Sequence, residues 1–280
     1  MTNFFDIYWI YDLPNGLLGF GVILIYVVIA ILGLFLTRDW IYRTLWTSVE
    51  TNEATNGIIS AYGVLYGLLL GLVTVAAWEN FDDCDEIVSK ESASVASLYR
   101  DVSALKPPLK GEMQQILKEY LEDVIEVAWP AQRDGVIKTS GTHILSRLHA
   151  ALGRYEPKGL ADQALYEESL TAFNRLSEAR RLRVESVSVG IPAVFWVIIV
   201  MGAVLHLPLI YLLHTPKFST HLFVTVIYST FMGSIIFLLV TVDNPFRGEV
   251  SISSDSFLHV LNNLAEYDPV DLKREAVKSH

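Results

Sequence analysis

A single cysteine, Cys84, stands in a chain of 280 residues. One thiol allows neither an intrachain disulfide nor a cysteine metal cluster. The chain also lacks a basic excess. Its 21 Lys and Arg face 31 Asp and Glu, for a net charge of −10, and no long basic block appears, which argues against a nucleic-acid partner. Signatures of catalysis are missing too: there is no G-x-x-x-x-G-K-[ST], no G-x-S-x-G and no H-E-x-x-H. His143 and His149 flank Arg147 without a carboxylate or cysteine at ligand spacing, so they read as packing histidines rather than metal ligands. With no nucleophile–base pair and no metal cluster, the expectation is a protein that is not an enzyme and carries no cofactor or metal. No alternating strand pattern of useful length is present, and no low-complexity linker.

What the chain has in abundance is apolar surface. It is 52% hydrophobic, with a mean hydropathy of +0.38, which points to a membrane protein with a sizeable polar part. A bilayer core takes roughly 20 apolar residues per helix. Four segments qualify, at 17–37, 57–78, 191–213 and 219–242. The expected organisation is an interfacial segment 1–16, a transmembrane hairpin 17–78, a cytoplasmic helical domain 79–190, a second hairpin 191–242 and a tail 243–280. The first residues hold no Lys or Arg and no cleavage site follows the apolar run, so they do not read as a secretory signal. Their Phe4, Phe5, Tyr8, Trp9 and Tyr11 suit the membrane interface.

An even number of spans puts both termini and the insert on one side. Basic residues near the membrane on that side are Lys90, Arg175, Arg180, Arg181, Arg183 and Arg247. The other side has Arg38, Arg43 and Lys217. The bias places termini and insert in the cytoplasm, with Trp40, Tyr42 and Trp46 in the outer aromatic belt.

The insert reads as helices. Val88, Val95, Leu98, Val102 and Leu105 recur near heptad spacing, and nothing between Gly71 and Lys106 breaks a helix. The second span is therefore expected to continue as one rod to about residue 105, where Pro107-Pro108 ends it. Further helices are expected at 111–129, broken by Pro130, at 141–152, and at 160–188. His206, two residues before Pro208, is expected to satisfy a carbonyl that the proline frees.

Inside the second span, residues 63–74 read GVLY-GLLL-GLVT, three tandem copies of glycine–aliphatic–x–x. Residues four apart stack on a helix. Gly63, Gly67 and Gly71 thus form a smooth stripe, a surface that lets helices approach closely in lipid. Val64, Leu68 and Leu72 form an apolar ladder beside it. If several copies pack around an axis, that ladder becomes stacked apolar rings, a narrow hydrophobic neck; the simpler reading is a plain packing face. Below the ladder, Thr74 and Asp82 are candidates for the pore mouth, Asp82 with Asp83, Asp85 and Glu86 supplying cation-attracting charge. Arg180, Arg181 and Arg183, just before the third span, suit contact with anionic lipid headgroups or an anion-attracting vestibule.

Several stretches resemble a bacterial bestrophin-like membrane family of unknown function: AYGVLYGLLLGLVTVAAWENFDD, EIVSKESASVASLYRD, VAWP, EARRLRVE, GIPAVFW and VDNPFRGEVSIS. A more distant resemblance is to the bestrophin ion channels, which share the layout of two spans, a helical insert, two spans and a tail opening on a Pro-Phe motif. That resemblance implies a homopentamer with its neck on the second span, and aligning the family's glycine on Gly63 places the neck at Val64, Leu68 and Leu72. It also marks departures. Val73, Thr74 and Val75 stand where bestrophins carry arginine and asparagines. Asp243-Asn244-Pro245-Phe246-Arg247-Gly248-Glu249 lacks the dense acidic run that binds calcium in animal members.

The expectation is therefore an all-α, bestrophin-like protein of the bacterial inner membrane, with four transmembrane helices and a helical cytoplasmic domain. It would assemble as a homo-oligomeric, pentameric ion channel, with membrane lipids and inorganic ions as partners. The alternative is a non-conducting scaffold or sensor that binds a partner through its cytoplasmic helices.

Overall fold

The computed structural model describes residues 11, 13–44 and 49–268; Phe4, Phe5, Tyr8, Trp9 and Trp46 lie outside them. Among the described residues every regular element is helical. The helices are α1 (Asn15–Thr44), α2 (Val49–Ser103), α3 (Leu109–Asp123), α4 (Trp129–Arg133), α5 (Ser140–Gly153), α6 (Leu160–Ser186), α7 (Ala193–Tyr211), α8 (Phe218–Val242) and α9 (Asp255–Asn262). A π-turn, Val124–Ala128, joins α3 to α4, and a 3₁₀ turn, Leu264–Tyr267, follows α9. Four helices, α1, α2, α7 and α8, are long and apolar enough to cross a membrane.

Two readings shift against the structure. α2 begins at Val49 rather than near 57 and runs unbroken for 55 residues, about 80 Å at 1.5 Å per residue. Hydropathy marks where a span enters lipid, but a helix starts where its backbone bonds start, and nothing from Val49 to Ser103 is a proline. Pro130 was expected to end a helix at 129. Instead α4 begins at Trp129 with the proline in its first turn, where a missing N–H costs nothing, and the π-turn before it re-registers the ladder.

The chain divides into two compact units. The first comprises Met1–Phe81, Gly190–Asn244 and Gly248–Val250; the second comprises Asp82–Val189, Pro245–Arg247 and Ser251–His280.

In the first unit the four apolar helices meet at glycines. α1 lies along α8: a Cβ on Gly19 would sit 3.1 Å from the Phe237 ring, and one on Gly233 would sit 3.0 Å from the Ile23 backbone. A Cβ on Gly202 of α7 would strike the Tyr66 ring, and one on Gly33 of α1 would strike the Tyr211 hydroxyl. Tyrosine hydroxyls complete the joints. Tyr26 of α1 donates to the Ala203 carbonyl at 2.7 Å, Tyr62 of α2 to Gly202, and Tyr66 to Ile199 at 2.6 Å. Tyr211 of α7 returns a bond to Ala30 at 3.0 Å. A carbonyl has two lone pairs, so α7 accepts these hydroxyls without leaving its helix. His206 does not bond a freed carbonyl as expected. Both its ring nitrogens are buried without a partner; the ring stacks on Tyr62 and lies tilted against Tyr228, with centroids 6.0 Å from each. The carbonyl that Pro208 frees is that of Val204, whereas the tyrosines that reach from other helices bond the earlier carbonyls of Ile199, Gly202 and Ala203.

Where α8 ends, Asp243 ties the unit together. One carboxylate oxygen accepts the Ile191 amide at 2.7 Å and the other the Tyr11 hydroxyl at 2.9 Å. Burial pushes this carboxyl above its ordinary value, while those donors pull it the other way. A Cβ on Gly190 would lie 3.0 Å from the Asp243 carbonyl, which accounts for glycine there.

The second unit is built on apolar seams. Val88, Val95, Leu98 and Val102 of α2 are fully buried, as are Leu117, Tyr120 and Leu121 of α3, Leu148 and Leu152 of α5, and Leu176 of α6. Two charges sit on the same seams: Glu91 is 0% and Arg183 1% exposed. Arg183 Nε and Nη2 donate to the two Glu91 carboxylate oxygens at 2.6 and 3.1 Å, and Nη1 donates to Gln132 Oε1 at 2.7 Å. The Tyr120 hydroxyl donates to Glu91 as well. Burial, with the Glu91 charge beside it, pushes that hydroxyl well above its ordinary value. The Trp129 and Phe257 rings lie 5.7 and 5.8 Å from the guanidinium carbon.

Breaking this pair leaves an uncompensated buried charge. Arg183→Met is expected to cost roughly 3–5 kcal/mol in the unfolding free energy, and Arg183→Met with Glu91→Leu to recover most of that loss, as measured by denaturant titration in detergent.

Candidate functional site

The geometry of α2 decides which of its faces meets the rest of the chain. Tyr66, Leu70, Val73 and Ala77 are buried at 7%, 2%, 8% and 5%. Tyr66, Leu70 and Val73 pack with Ile199 of α7 and with Met232 and Leu239 of α8. At about 100° per residue, Leu68 lies roughly 200° round the helix from Tyr66, on the opposite side. The exposures agree: Val64 is 71%, Leu68 61%, Leu72 64% and Val75 57% exposed. The ladder read from the sequence thus points away from the chain's own bundle.

The glycine stripe stands beside the ladder. A Cβ at Gly63, Gly67 or Gly71 would meet nothing within 4 Å, in contrast to Gly202 and Gly33, whose space a ring or hydroxyl already fills. Among the described residues of the chain, these three glycines pack against nothing. Thr74 is partly exposed and returns its hydroxyl to the Leu70 carbonyl at 2.8 Å. Asp82, Asp83, Asp85 and Glu86 are all exposed on α2, while Cys84 between them is buried. Burial pushes the Cys84 thiol above its ordinary value, which disfavours the nucleophilic thiolate.

The three arginines do not form one patch. Arg183 belongs to the buried pair with Glu91, so it is neither a vestibule nor a lipid-contact residue. Arg180 is partly buried with its Nε sequestered, and a Cβ on Gly141 would sit 3.0 Å from it. Only Arg181 is exposed, 3.4 Å from Glu185. The inward turn follows the α6 seam, since Arg183 stands four residues after the buried Ala179. Glu91 has the same signal, three residues after Val88 and four before Val95. A charge in an apolar register is the mark that both carried in the sequence. Among the described residues, no group of three or more His, Cys, Asp or Glu is placed to hold a metal.

Gly67→Ala should leave the melting of dissociated subunits unchanged or raise their stability by up to about 1 kcal/mol, the helix-propensity gain. Gly202→Ala, which meets the Tyr66 ring, should lower it by roughly 1–3 kcal/mol. Thermal melts in a dissociating detergent distinguish the two.

Comparison with known proteins places this architecture. The family model for the bestrophin-like domain matches residues 24–257. Among solved structures, two variants of a bacterial bestrophin homologue from Klebsiella pneumoniae superpose with a TM-score of 0.67 each. One is 12% identical and covers 90% of this chain and 99% of its own. The other is 15% identical and covers 88% and 98%. A crystal structure described only as a membrane protein gives 0.67 at 14% identity, covering 90% and 98%. No curated protein sequence matches.

Proposed function

Since the chain belongs to the bestrophin-like family, we propose that it forms a homo-oligomeric ion channel of the bestrophin type in a bacterial inner membrane, with Val64, Leu68 and Leu72 of α2 as its hydrophobic neck. The observation that carries this reading is the direction of the ladder. Three aliphatic side chains in a row, each more than half exposed, turn away from the helices of their own subunit. Placed around an axis, such rungs stack as apolar rings that pass ions only when wetted. The open glycines beside them give a neighbouring subunit room to approach.

In this reading Thr74 and, further along the same helix, Asp82 line the cytoplasmic mouth, and both termini are cytoplasmic. The spans connect as two hairpins, with the helical insert in the cytoplasm. Arg181 remains the one exposed member of its cluster for contact with headgroups or passing anions. Five subunits are the expectation from the distant resemblance to bestrophin channels. The family match and the structural neighbours, two of them named as bestrophin homologues, support the channel reading.

Two measurements test it. The intact complex in mild detergent should weigh five subunits by native mass spectrometry, and Gly67→Leu should shift it towards monomer. In liposomes loaded with salt, Leu68→Ala should raise ion flux severalfold by widening the neck. Flux unchanged in all three of Val64→Ala, Leu68→Ala and Leu72→Ala would remove the neck from this helix face.

A further inference from the structure

At the end of α1 opposite Asn15, the first unit holds a charge, Arg38, with no counter-charge paired to it among the described residues. Arg38 follows the apolar run of α1 directly. Its guanidinium carbon lies 4.7 Å from the centre of the Tyr42 ring and 5.1 Å from that of Phe218. Both rings are themselves fixed. The Tyr42 hydroxyl donates to the Thr215 carbonyl at 2.8 Å and accepts the Thr215 amide at 2.9 Å. Phe218 packs on Phe35 with centroids 5.0 Å apart. The arginine is held by its flat faces, and among the described residues it makes no ion pair. Its nearest carboxylate in sequence, Asp39, is exposed and does not pair with it.

Three buried polar atoms without a partner gather here: Arg38 Nε, Thr215 Oγ1 and His221 Nδ1. His221 is fully buried, binds the Ile210 carbonyl through its other nitrogen at 3.0 Å, and lies one turn beyond Phe218 on the same side of α8. Phe218 opens α8, whose 25 residues bring their positive dipole end and unbonded first-turn amides to this point. Lys217, just before it, is exposed. A planar fork with fixed faces, a spare hydroxyl and a helix N-terminus together suit an oxyanion of tetrahedral type.

We propose that Arg38, Thr215 and the first turn of α8 form a binding site for a phosphate group, presented either by an anionic lipid headgroup or by free phosphate. The rings orient the guanidinium so that its outer edge meets two phosphate oxygens at once, while the Thr215 hydroxyl and the α8 amides face the same group. The site does not depend on conduction and does not use the α2 ladder.

The full chain, purified and delipidated in mild detergent, is titrated with dioleoylphosphatidylglycerol and with dioleoylglycerol, which lacks the phosphate, and the first lipid adduct is followed by native mass spectrometry. The wild type should bind the phosphoglycerol lipid about tenfold more tightly than the phosphate-free lipid. Arg38→Gln should abolish that preference, Arg38→Lys should lose most of it because an ammonium lacks the fork, and Arg147→Gln, an exposed arginine paired with Glu119 in the second unit, should keep it. Should Arg38→Gln fail to fold, Arg38→Lys and Thr215→Val carry the test, the latter expected to weaken binding severalfold. Equal lipid preference in the wild type and every folded variant at Arg38 overturns the proposal, as does equal binding of both lipids by the wild type. Added inorganic phosphate then separates the sources: displacement of the Arg38-dependent adduct at millimolar phosphate assigns a free oxyanion, and persistence assigns the lipid headgroup.

Discussion

Within hydrocarbon an apolar helix gains little by exchanging lipid tails for another apolar helix, so packing contacts and hydrogen bonds must hold the bundle. The first unit depends on that constraint, and α7 is where it is met. Gly202 leaves room for the Tyr66 ring, and hydroxyls from Tyr26, Tyr62 and Tyr66 end on carbonyls between Ile199 and Ala203. Each such bond is worth on the order of 1 kcal/mol. Their number matters less than their direction. By fixing Tyr62 and Tyr66 against α7, they fix the rotation of α2 about its own axis. The outward aim of Val64, Leu68 and Leu72 follows from it, since a helix turned by Tyr66 towards α7 has no freedom to present Leu68 there too.

The second unit follows a different rule on the same helix. There the apolar seam of α2, with Val88, Val95 and Leu98, gains from leaving water, and roughly 25 cal/mol per Å² of burial is enough to collapse the helices. Burial of that kind is indifferent to detail; the Glu91–Arg183 pair is not. A guanidinium that must meet two carboxylate oxygens and Gln132 at once tolerates no slip of α6 along α2. The apolar seams make the unit compact, and the ion pair selects its register. The flanking Trp129 ring follows directly on the π-turn, at the first residue of α4, and is buried there.

Periodicity made most of this fold legible. The apolar positions of α2 named from spacing, such as Val88, Val95 and Leu98, are those that the structure buries. The four spans were visible from hydropathy alone. What spacing did not reveal lies where a polar residue takes an apolar place. Proximity in sequence groups Arg183 with Arg180 and Arg181, although Arg181, two residues before it, lies about 200° round the helix on the other side. Tyrosine as an interhelical donor was likewise invisible, because its partner is a backbone carbonyl and carbonyls leave no mark in a sequence. Hydropathy also failed at the start of α2, since the polar turns from Val49 onward extend a helix that no apolar pattern announces. The candidate neck was legible as spacing, but its outward aim was not, because that depends on Tyr66 finding Gly202.

Exposure of the ladder does not by itself mark an interface, since in a bilayer an aliphatic side chain is equally stable against lipid. The glycines carry more weight. Each glycine in a helix costs roughly 1 kcal/mol relative to alanine, and Gly63, Gly67 and Gly71 place three such costs on one side of one span. Elsewhere in this unit the cost has a visible return: Gly202, Gly33 and Gly233 each admit a ring, a hydroxyl or a backbone that a methyl would exclude. The α2 stripe admits nothing among the described residues of its own chain. Lipid tails gain nothing from the missing methyls, because they flow around alanine as readily. A second backbone would gain, and in the proposed assembly it comes from another subunit. A neighbour seated on the stripe leaves the ladder, roughly one third of a turn further round α2, facing the space between them.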